Sequence, residues 1–231
     1  MARAGRLRCD LARHEPDPSR QQARSDAARR TLIDATIRVL ADEGYRAATA
    51  VRIQEVSGLS RGLVGYHFGS KQRLMEEVIE SIRTSYRDQT SHGRDPSLCG
   101  LDQIIEYFSI YLTRLERDPR RAKAMLVLAM ESVAEASDVR RAMRAHLASA
   151  REDIRECLQA GLDDGSVRST TDPVVHATLL HGALRGVVLQ YVLDPKAIDL
   201  RRVREAMLGS MRHELAAEAP PARRRGAARQ A

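Results

Sequence analysis

Hydrogen-bond donors that suit a polyanion are concentrated in one short stretch of this sequence, between Thr49 and Lys71. Arg61 can donate to base edges or to phosphate, and Tyr66 and His67 can donate to phosphate oxygens. Lys71 stands at the expected start of a helix, where free N–H groups and the helix dipole already favour phosphate. These residue types at this spacing indicate contacts with the backbone and the bases of double-stranded DNA.

The elements that position these donors have the pattern of a helix-turn-helix. An amphipathic helix is predicted over about Ser25–Glu43, and Thr49 is suited to cap a short second helix. Gly58 allows a tight turn, and Ser60 is expected to cap a third helix that begins at Arg61. A helix pair of this kind can place its second helix in the major groove of DNA.

The turn alone leaves two interpretations open, because a helical hairpin with a charged, solvated face has the same pattern. The string SRGLVGYHFGSK at positions 60–71 is more specific. It resembles the recognition helix, and the cap that follows it, of the tetracycline-repressor (TetR) family of bacterial transcription regulators. The resemblance covers roughly Ser25–Tyr86 and implies a helix-turn-helix DNA-binding domain.

The resemblance also implies which residues contact DNA. One group matches family positions at the DNA backbone, and it comprises Thr49, Tyr66, His67 and Lys71. A second group matches positions that face the bases, and it comprises Arg61, Gly62 and Gly65. Three neighbours, Arg52, Ser60 and Leu63, complete the set of residues that we expect to lie at the DNA.

Two positions differ from the family pattern. Gly65 stands where the family usually has tyrosine, and a glycine inside a helix costs about 1 kcal/mol relative to alanine. It also lets the backbone approach the groove closely. Val51 stands where a polar or basic residue is common, and Arg52 beside it can contact the backbone instead. Fewer base contacts than usual are therefore expected.

Composition favours a helical protein that associates with a polyanion. The chain has 231 residues, a net charge of +7 and a calculated pI of about 9.8, and an excess of positive charge attracts DNA. Hydrophobic residues make up 43% and aromatic residues 3% of the sequence, so the core must be mainly aliphatic. No alternating strand pattern or hairpin signal is found. We predict an all-α fold of about nine helices, with a three-helix head and a larger C-terminal bundle.

Four segments are predicted along the chain. They are a basic, disordered N-terminal extension (1–24), the helix-turn-helix domain (25–86), a C-terminal ligand-binding and dimerisation domain (87–217) and a basic, disordered tail (218–231). Both basic ends are interpreted as inert, and the alternative is an arm that reaches phosphate or the minor groove. From Asp172 onward the sequence also resembles the BetI-like subgroup of the family.

The helix predicted from Asp172 to about Leu193 is the candidate for self-association. It is apolar round most of its circumference, and small residues four apart form a strip that another helix can approach closely. That helix can belong to the same chain, or, as the resemblance implies, to a second copy in a homodimer. The residues assigned to this dimer interface are Thr178, Gly182, Gly186 and Leu189.

A small-molecule effector of unknown identity is implied by the resemblance, with a pocket in the C-terminal domain. The candidate lining residues are Phe108, Tyr111, Met125, Met130, His146, His181 and Arg185. The alternative is that the apolar members are plain core and that the histidines are hydrogen-bonded within the bundle. Arg185 is the most informative, because a buried guanidinium needs an anionic partner. That partner can be Glu131, another acidic side chain or a ligand carboxylate.

Other function classes lack their signatures. No phosphate-binding glycine loop, HExxH, CxxC or GxSxG motif is present, so we expect no enzyme, no metal site and no cofactor. The three cysteines are widely spaced, which fits a reducing compartment. No apolar run is long enough for a membrane span, and a cytoplasmic protein is expected. The remaining alternatives are a helical adaptor that binds only protein and, less favoured, a helical enzyme.

Overall fold

A computed structural model of the protein describes residues 18–91, 97–134 and 137–217. These residues form nine helices, numbered here in chain order. They are α1 (Pro18–Glu43), α2 (Ala50–Ser57), α3 (Arg61–Phe68), α4 (Lys71–Ser91), α5 (Gly100–Arg117), α6 (Arg120–Glu131), α7 (Arg140–Asp163), α8 (Pro173–Leu193) and α9 (Leu200–Leu215). The all-α fold class, the helix-turn-helix head and the larger helical bundle are confirmed.

Helix α1 begins earlier than the sequence predicted. It starts at Pro18 rather than near Ser25, so residues 18–24 are helical and the predicted disorder over 1–24 is wrong for them. Proline is tolerated in the first turn of a helix, and the Gln, Ala and Arg residues that follow are good helix formers. The rest of the predicted basic ends, residues 1–17 with Cys9 and residues 218–231, lies outside the described residues.

The head packs α1 to α4 around one apolar core. Ile53 of α2 and Val64 and Phe68 of α3 are buried in it, and the last two share one side of α3 because they lie four residues apart. Gly58 forms the turn between α2 and α3 with a φ of +71°, a left-handed conformation that favours glycine. Because α3 buries one side in this core, its opposite side faces solvent.

The core of the head continues into the C-terminal half through α6. Met125 and Leu128 of α6 belong to the same buried cluster as the apolar residues of α1 and α4. A salt bridge of 3.1 Å also joins Arg121 of α6 to Asp34 of α1. Since packed interiors transmit displacements, a movement of α6 is felt by the head.

A second apolar core lies between α5, α7, α8 and α9. At its edge the backbones of α5 and α7 touch, so that a Cβ on Gly100 would lie 2.0 Å from the backbone nitrogen of Gly161. The Gly100 N–H donates to Asp164 at 2.7 Å, and the Leu101 N–H donates to the Ser166 hydroxyl at 3.1 Å. The loop after α7 therefore caps the start of α5 and fixes how the two helices meet.

The end of α9 is held by a short antiparallel bridge between Val167 and Ala216. The Arg168 N–H donates to the Leu215 carbonyl at 2.8 Å, and the Ala217 N–H donates to the Ser166 carbonyl at 3.0 Å. The bridge keeps α9 against α5. Of the helices in the described ranges, none is long and apolar enough to cross a membrane.

Candidate nucleic-acid interface and internal cavity

Helix α3 presents a polar face to solvent. Tyr66 is 79% exposed, and its ring contacts that of His67 edge to face with centroids 5.1 Å apart. Arg61 is exposed at the start of the helix, and its Nε donates to the Gln54 side-chain oxygen at 3.2 Å. Ser60 occupies the N-cap position without a side-chain hydrogen bond, so the predicted cap bond is wrong.

A hollow of about 430 Å³, including space open to solvent, lies beside Gly65. The N-terminal ends of α2 and α4 border it through Thr49 and Lys71. The hydroxyl oxygen of Thr49 accepts the Arg52 N–H at 3.2 Å, which confirms Thr49 as the cap of α2. A Cβ on Gly65 would meet no atom within 4 Å, so the absent side chain leaves the hollow open. Two helix N-termini at one concave surface favour an anion such as a DNA phosphate.

Arg52 is held by carboxylates of the head itself. Its guanidinium contacts Glu43 at 2.9 Å and Glu55 at 2.8 Å. Hydrogen bonds to Glu43, and then to Glu55, raise the pKa of Arg52 above its ordinary value. These contacts join α2 to the end of α1, so Arg52 positions α2. Leu63 is half-buried and packs against the head core rather than standing clear of it.

Lys71 is also engaged within the head. Its Nζ donates to the Tyr45 carbonyl at 2.8 Å and lies 4.1 Å from the centre of the Tyr45 ring. Burial lowers the pKa of Lys71. Ser70 caps α4, because its hydroxyl accepts the Arg73 N–H at 3.2 Å. Lys71 therefore ties the loop after α1 to the start of α4, and two of its three N–H groups remain for other acceptors.

An internal cavity of about 530 Å³, including space open to solvent, lies where α4, α5, α7 and α8 meet. Its wall contains stacked aromatic rings, with Tyr86 of α4 and Tyr111 of α5 at 4.8 Å between centroids. The guanidinium of Arg114 lies 4.7 Å from the centre of the Tyr86 ring. The lining residues are Ile82, Arg83, Tyr86, Arg87, Tyr107, Tyr111, Met125, His146, Ala150, Asp153, His181, Leu184 and Arg185.

Two histidines of this lining are neutral near pH 7. Burial lowers the pKa of His146 and of His181 to about 4, and the positive charge of Arg185 is the next cause for both. The Nδ1 atom of His146 is buried without a hydrogen-bond partner in the described structure. The lining thus combines neutral imidazoles, aromatic rings and guanidinium groups.

Helix α8 exposes an apolar strip on its outer side. Val175, Leu179, Leu189 and Leu193 are exposed along it. Between them Gly182 and Gly186 leave the surface flat, and a Cβ on either would meet no atom within 4 Å. Thr178 is exposed on the same side, and its hydroxyl donates to the Val174 carbonyl at 3.1 Å. The alternative that these glycines pack against a helix of the same chain therefore fails for the described residues.

Two sequence profiles of one family match this chain. One, described as "Bacterial regulatory proteins, tetR family", matches residues 32–78 and contains α2 and α3. The other, described as "Tetracyclin repressor-like, C-terminal domain", matches residues 100–207 and contains α5 to α8. The chain belongs to the TetR family. This family membership makes it a DNA-binding transcription regulator.

One relative and one solved structure match this TetR-family chain over most of their length. The transcriptional repressor AcnR of Corynebacterium glutamicum is 25% identical over 187 residues, which cover 80% of this chain and 93% of AcnR. A crystal structure of a TetR-family transcriptional regulator from Agrobacterium tumefaciens has a TM-score of 0.71 and 17% identity, and it covers 83% of this chain and 99% of that one. The BetI regulator of Rhizobium meliloti is 38% identical over 60 residues, which cover 26% of this chain and 30% of BetI. The similarity to BetI is thus partial.

The cavity of this TetR-family regulator is lined by five of the seven residues predicted for a ligand. They are Tyr111, Met125, His146, His181 and Arg185. Phe108 lies fully buried in the core of the C-terminal half, and Met130 is 63% exposed, so neither lines the cavity. Both stand on helices that carry a lining residue, but their side chains point to other sides of those helices.

The sequence-based set missed the contribution of α4 to the cavity. Ile82, Arg83, Tyr86 and Arg87 line it from that helix, and Tyr107 does so from α5. Residues at 82, 83, 86 and 87 share one side of a helix. That spacing could have identified a second buried side of α4, although not what lies against it.

Proposed function

We propose that this regulator is a homodimeric repressor that binds an inverted-repeat operator and is released by a small-molecule effector. The observation that carries the proposal is the exposed polar face of α3 beside the hollow between the N-termini of α2 and α4. Relatives such as AcnR carry the description of transcriptional repressor. We further infer that the chain has no catalytic activity and acts in the cytoplasm.

The contacts with DNA divide into readout and positioning. Arg61 reads a base edge from the start of α3, where a bidentate contact with guanine is the commonest specific pairing. Phosphate oxygens accept hydrogen bonds from Tyr66, His67 and Thr49. Lys71 donates to phosphate with the Nζ hydrogens that are not bonded to the Tyr45 carbonyl. The side chains assigned to DNA are Thr49, Arg52, Ser60, Arg61, Leu63, Tyr66, His67 and Lys71, and Gly62 and Gly65 let the α3 backbone approach. In this proposal Arg52 acts by positioning α2, and Leu63 acts by packing α3 against the head core.

Two chains join through the outer side of α8 in this proposal. The flat strip formed by Thr178, Gly182, Gly186 and Leu189 is self-complementary about a two-fold axis, as a dimer of identical chains requires. The two α3 helices then enter successive major grooves about 34–36 Å apart. An inverted repeat follows from this symmetry.

The effector acts through α4, which extends from the hollow to the cavity. Lys71 lies at its first turn beside the DNA, and Arg83 and Tyr86 lie three turns later in the cavity wall. A ligand that prefers a displaced α4 shifts the population toward chains whose two α3 helices no longer match the grooves. At saturating ligand, the affinity for the operator falls by the factor by which the ligand binds the displaced state more tightly than the DNA-binding state.

Selection of bound duplexes from a random DNA pool tests the proposal. Purified protein at near-physiological salt is expected to enrich an inverted repeat with half-sites about one helical turn apart. Arg61→Ala should relax the base preference in each half-site, whereas Tyr66→Phe should weaken all sequences alike. If no sequence is enriched, and binding to DNA is absent or insensitive to salt, the protein-binding adaptor is favoured instead.

A further inference from the structure

Arg185 projects from α8 into the cavity without a counter-ion. It is half-buried, and it forms no salt bridge or hydrogen bond with any side chain that the structure describes. Glu131, one of the partners considered from sequence, lies instead near Tyr45 and Lys71: burial raises the pKa of Tyr45 and lowers that of Lys71, and the charge of Glu131 adds to the first effect and opposes the second. The positive charge of Arg185 is therefore uncompensated within the described chain.

The other charges of the lining are already engaged. Arg83 contacts Glu80 through Nε at 2.8 Å and through Nη2 at 2.6 Å, and its Nη1 donates to the Ser149 hydroxyl. Arg87 and Asp153 each have an interaction partner. The cavity thus offers one guanidinium that no described side chain engages, and a guanidinium in a partly buried place gains most from an anion that accepts two hydrogen bonds.

The groups around Arg185 suit an uncharged, apolar body attached to that anion. His146 and His181 are neutral, because burial lowers the pKa of each to about 4. Tyr86 stacks on Tyr111 with an angle of 11° between the rings, and Tyr107 also lines the space. Aromatic and aliphatic walls with a few polar groups are typical of cavities for small organic ligands.

We propose that the cavity binds a monoanionic organic molecule with an aromatic or aliphatic body, whose carboxylate or other acidic group pairs with Arg185. This inference rests on the proposed role of the cavity as the effector site. Organic cations are rejected by the same guanidinium, because no carboxylate of the described lining is unpaired.

A matched pair of fluorescent probes tests the proposal. One probe is 8-anilinonaphthalene-1-sulfonate, and the other is N-phenyl-1-naphthylamine, which has the same rings without the sulfonate. Titrations of the full chain are expected to show one sulfonate probe bound per chain. Arg185→Met should weaken its binding at least tenfold and change binding of the uncharged probe less than twofold, since only the sulfonate needs the guanidinium.

Two further variants separate the role of Arg185 from general effects. Arg144→Met removes the same charge from an exposed position on α7 and should leave both probes unchanged. Arg185→Lys keeps the charge without the planar fork and should retain part of the sulfonate affinity. The proposal is overturned if Arg185→Met weakens both probes equally or neither. Thermal unfolding of each variant, followed by circular dichroism, identifies a chain that has failed to fold. If Arg185→Met fails to fold, the sulfonate affinity of Arg185→Lys decides the test.

Operator binding keeps this test distinct from the test of the proposed function. If the protein selects an inverted repeat and Arg185→Met leaves sulfonate binding unchanged, the ligand class is wrong and the regulator assignment stands. If no duplex is selected but the sulfonate probe binds through Arg185, the cavity assignment stands and the repressor proposal fails. If the sulfonate probe also weakens the complex with the selected duplex, and Arg185→Met abolishes that effect, both proposals are supported.

Discussion

Replacing Leu179 by aspartate tests whether the outer side of α8 joins two chains. The side chain is 62% exposed in the single chain, between Val175 and Gly182 on the apolar strip. Full burial of a leucine contributes about 1.5–3 kcal/mol, so burial of its exposed part contributes about 1–2 kcal/mol. In a two-fold interface both copies contribute, which gives about 2–4 kcal/mol per dimer.

This free energy corresponds to a weakening of dimerisation by about 30-fold to 1,000-fold at room temperature. Leu179→Asp should reach at least that range, because the carboxylate must also lose water or face its own copy. Sedimentation equilibrium over a range of protein concentrations measures the dissociation constant directly. Affinity for an inverted repeat should fall with it, because a single chain contacts only one half-site.

Met130 provides the matched control, since it is 63% exposed on α6 and similar in size to Leu179. Met130→Asp introduces the same charge at an equally exposed apolar position and should leave dimerisation unchanged. The reasoning is refuted if Leu179→Asp dimerises as tightly as the natural chain. It is also refuted if both variants dissociate equally, because the effect would then come from charge and not from the strip.

Four other substitutions have expected outcomes. Lys71→Met removes the charged hydrogen bond to the Tyr45 carbonyl. It should therefore lower the free energy of unfolding by about 1–3 kcal/mol in urea titrations, and it should reduce the salt slope of DNA binding by about 1. An unchanged free energy of unfolding would contradict a stabilising role of this hydrogen bond. Gly100→Ala should lower the free energy of unfolding by several kcal/mol, since its Cβ would meet the α7 backbone. Gly65→Ala should instead stabilise α3 by up to about 1 kcal/mol in the same titrations. The pKa of His146 is 6.5 in the unfolded chain and about 4 in the folded chain, so the unfolded chain binds more protons between pH 4 and pH 6.5. Its stabilising contribution is therefore complete above pH 6.5 and decreases by about 3 kcal/mol as pH falls to 4. His146→Gln should flatten that profile, and an equally steep profile would argue against a buried neutral imidazole.

Local patterns were sufficient to predict the DNA-binding head from sequence. Ile53, Val64 and Phe68 have the spacing of inward-facing helix residues, and the structure buries all three. Thr49 and Gly58 marked the start of α2 and the turn after it, because caps and left-handed turns depend on residues close in sequence. The α8 strip was readable for the same reason, since its small residues recur at helical spacing.

The start of α1 and the cap of α3 were predicted less well. Residues 18–24 lack an apolar face, so periodicity gave no helix signal, and their helical propensity was the only guide. Ser60 is a good capping residue by type, but its side chain makes no cap bond. Both failures concern places where competing local conformations differ by about 1 kcal/mol.

The roles of the side chains in the C-terminal half could be assigned only from the tertiary structure. Sequence periodicity showed that Phe108, Tyr111 and Met125 face some apolar surroundings, but not that Tyr111 and Met125 border a cavity while Phe108 does not. The absence of a side-chain counter-ion for Arg185 depends on which residues of the other helices lie around it. The sequence by itself determined the helices and the exposed side of α3, which arise from contacts within a few residues. The cavity, the continuity of α6 with the head and the closeness of α5 and α7 arise from contacts between residues far apart in the chain, and helical spacing carries no information about which helices will meet.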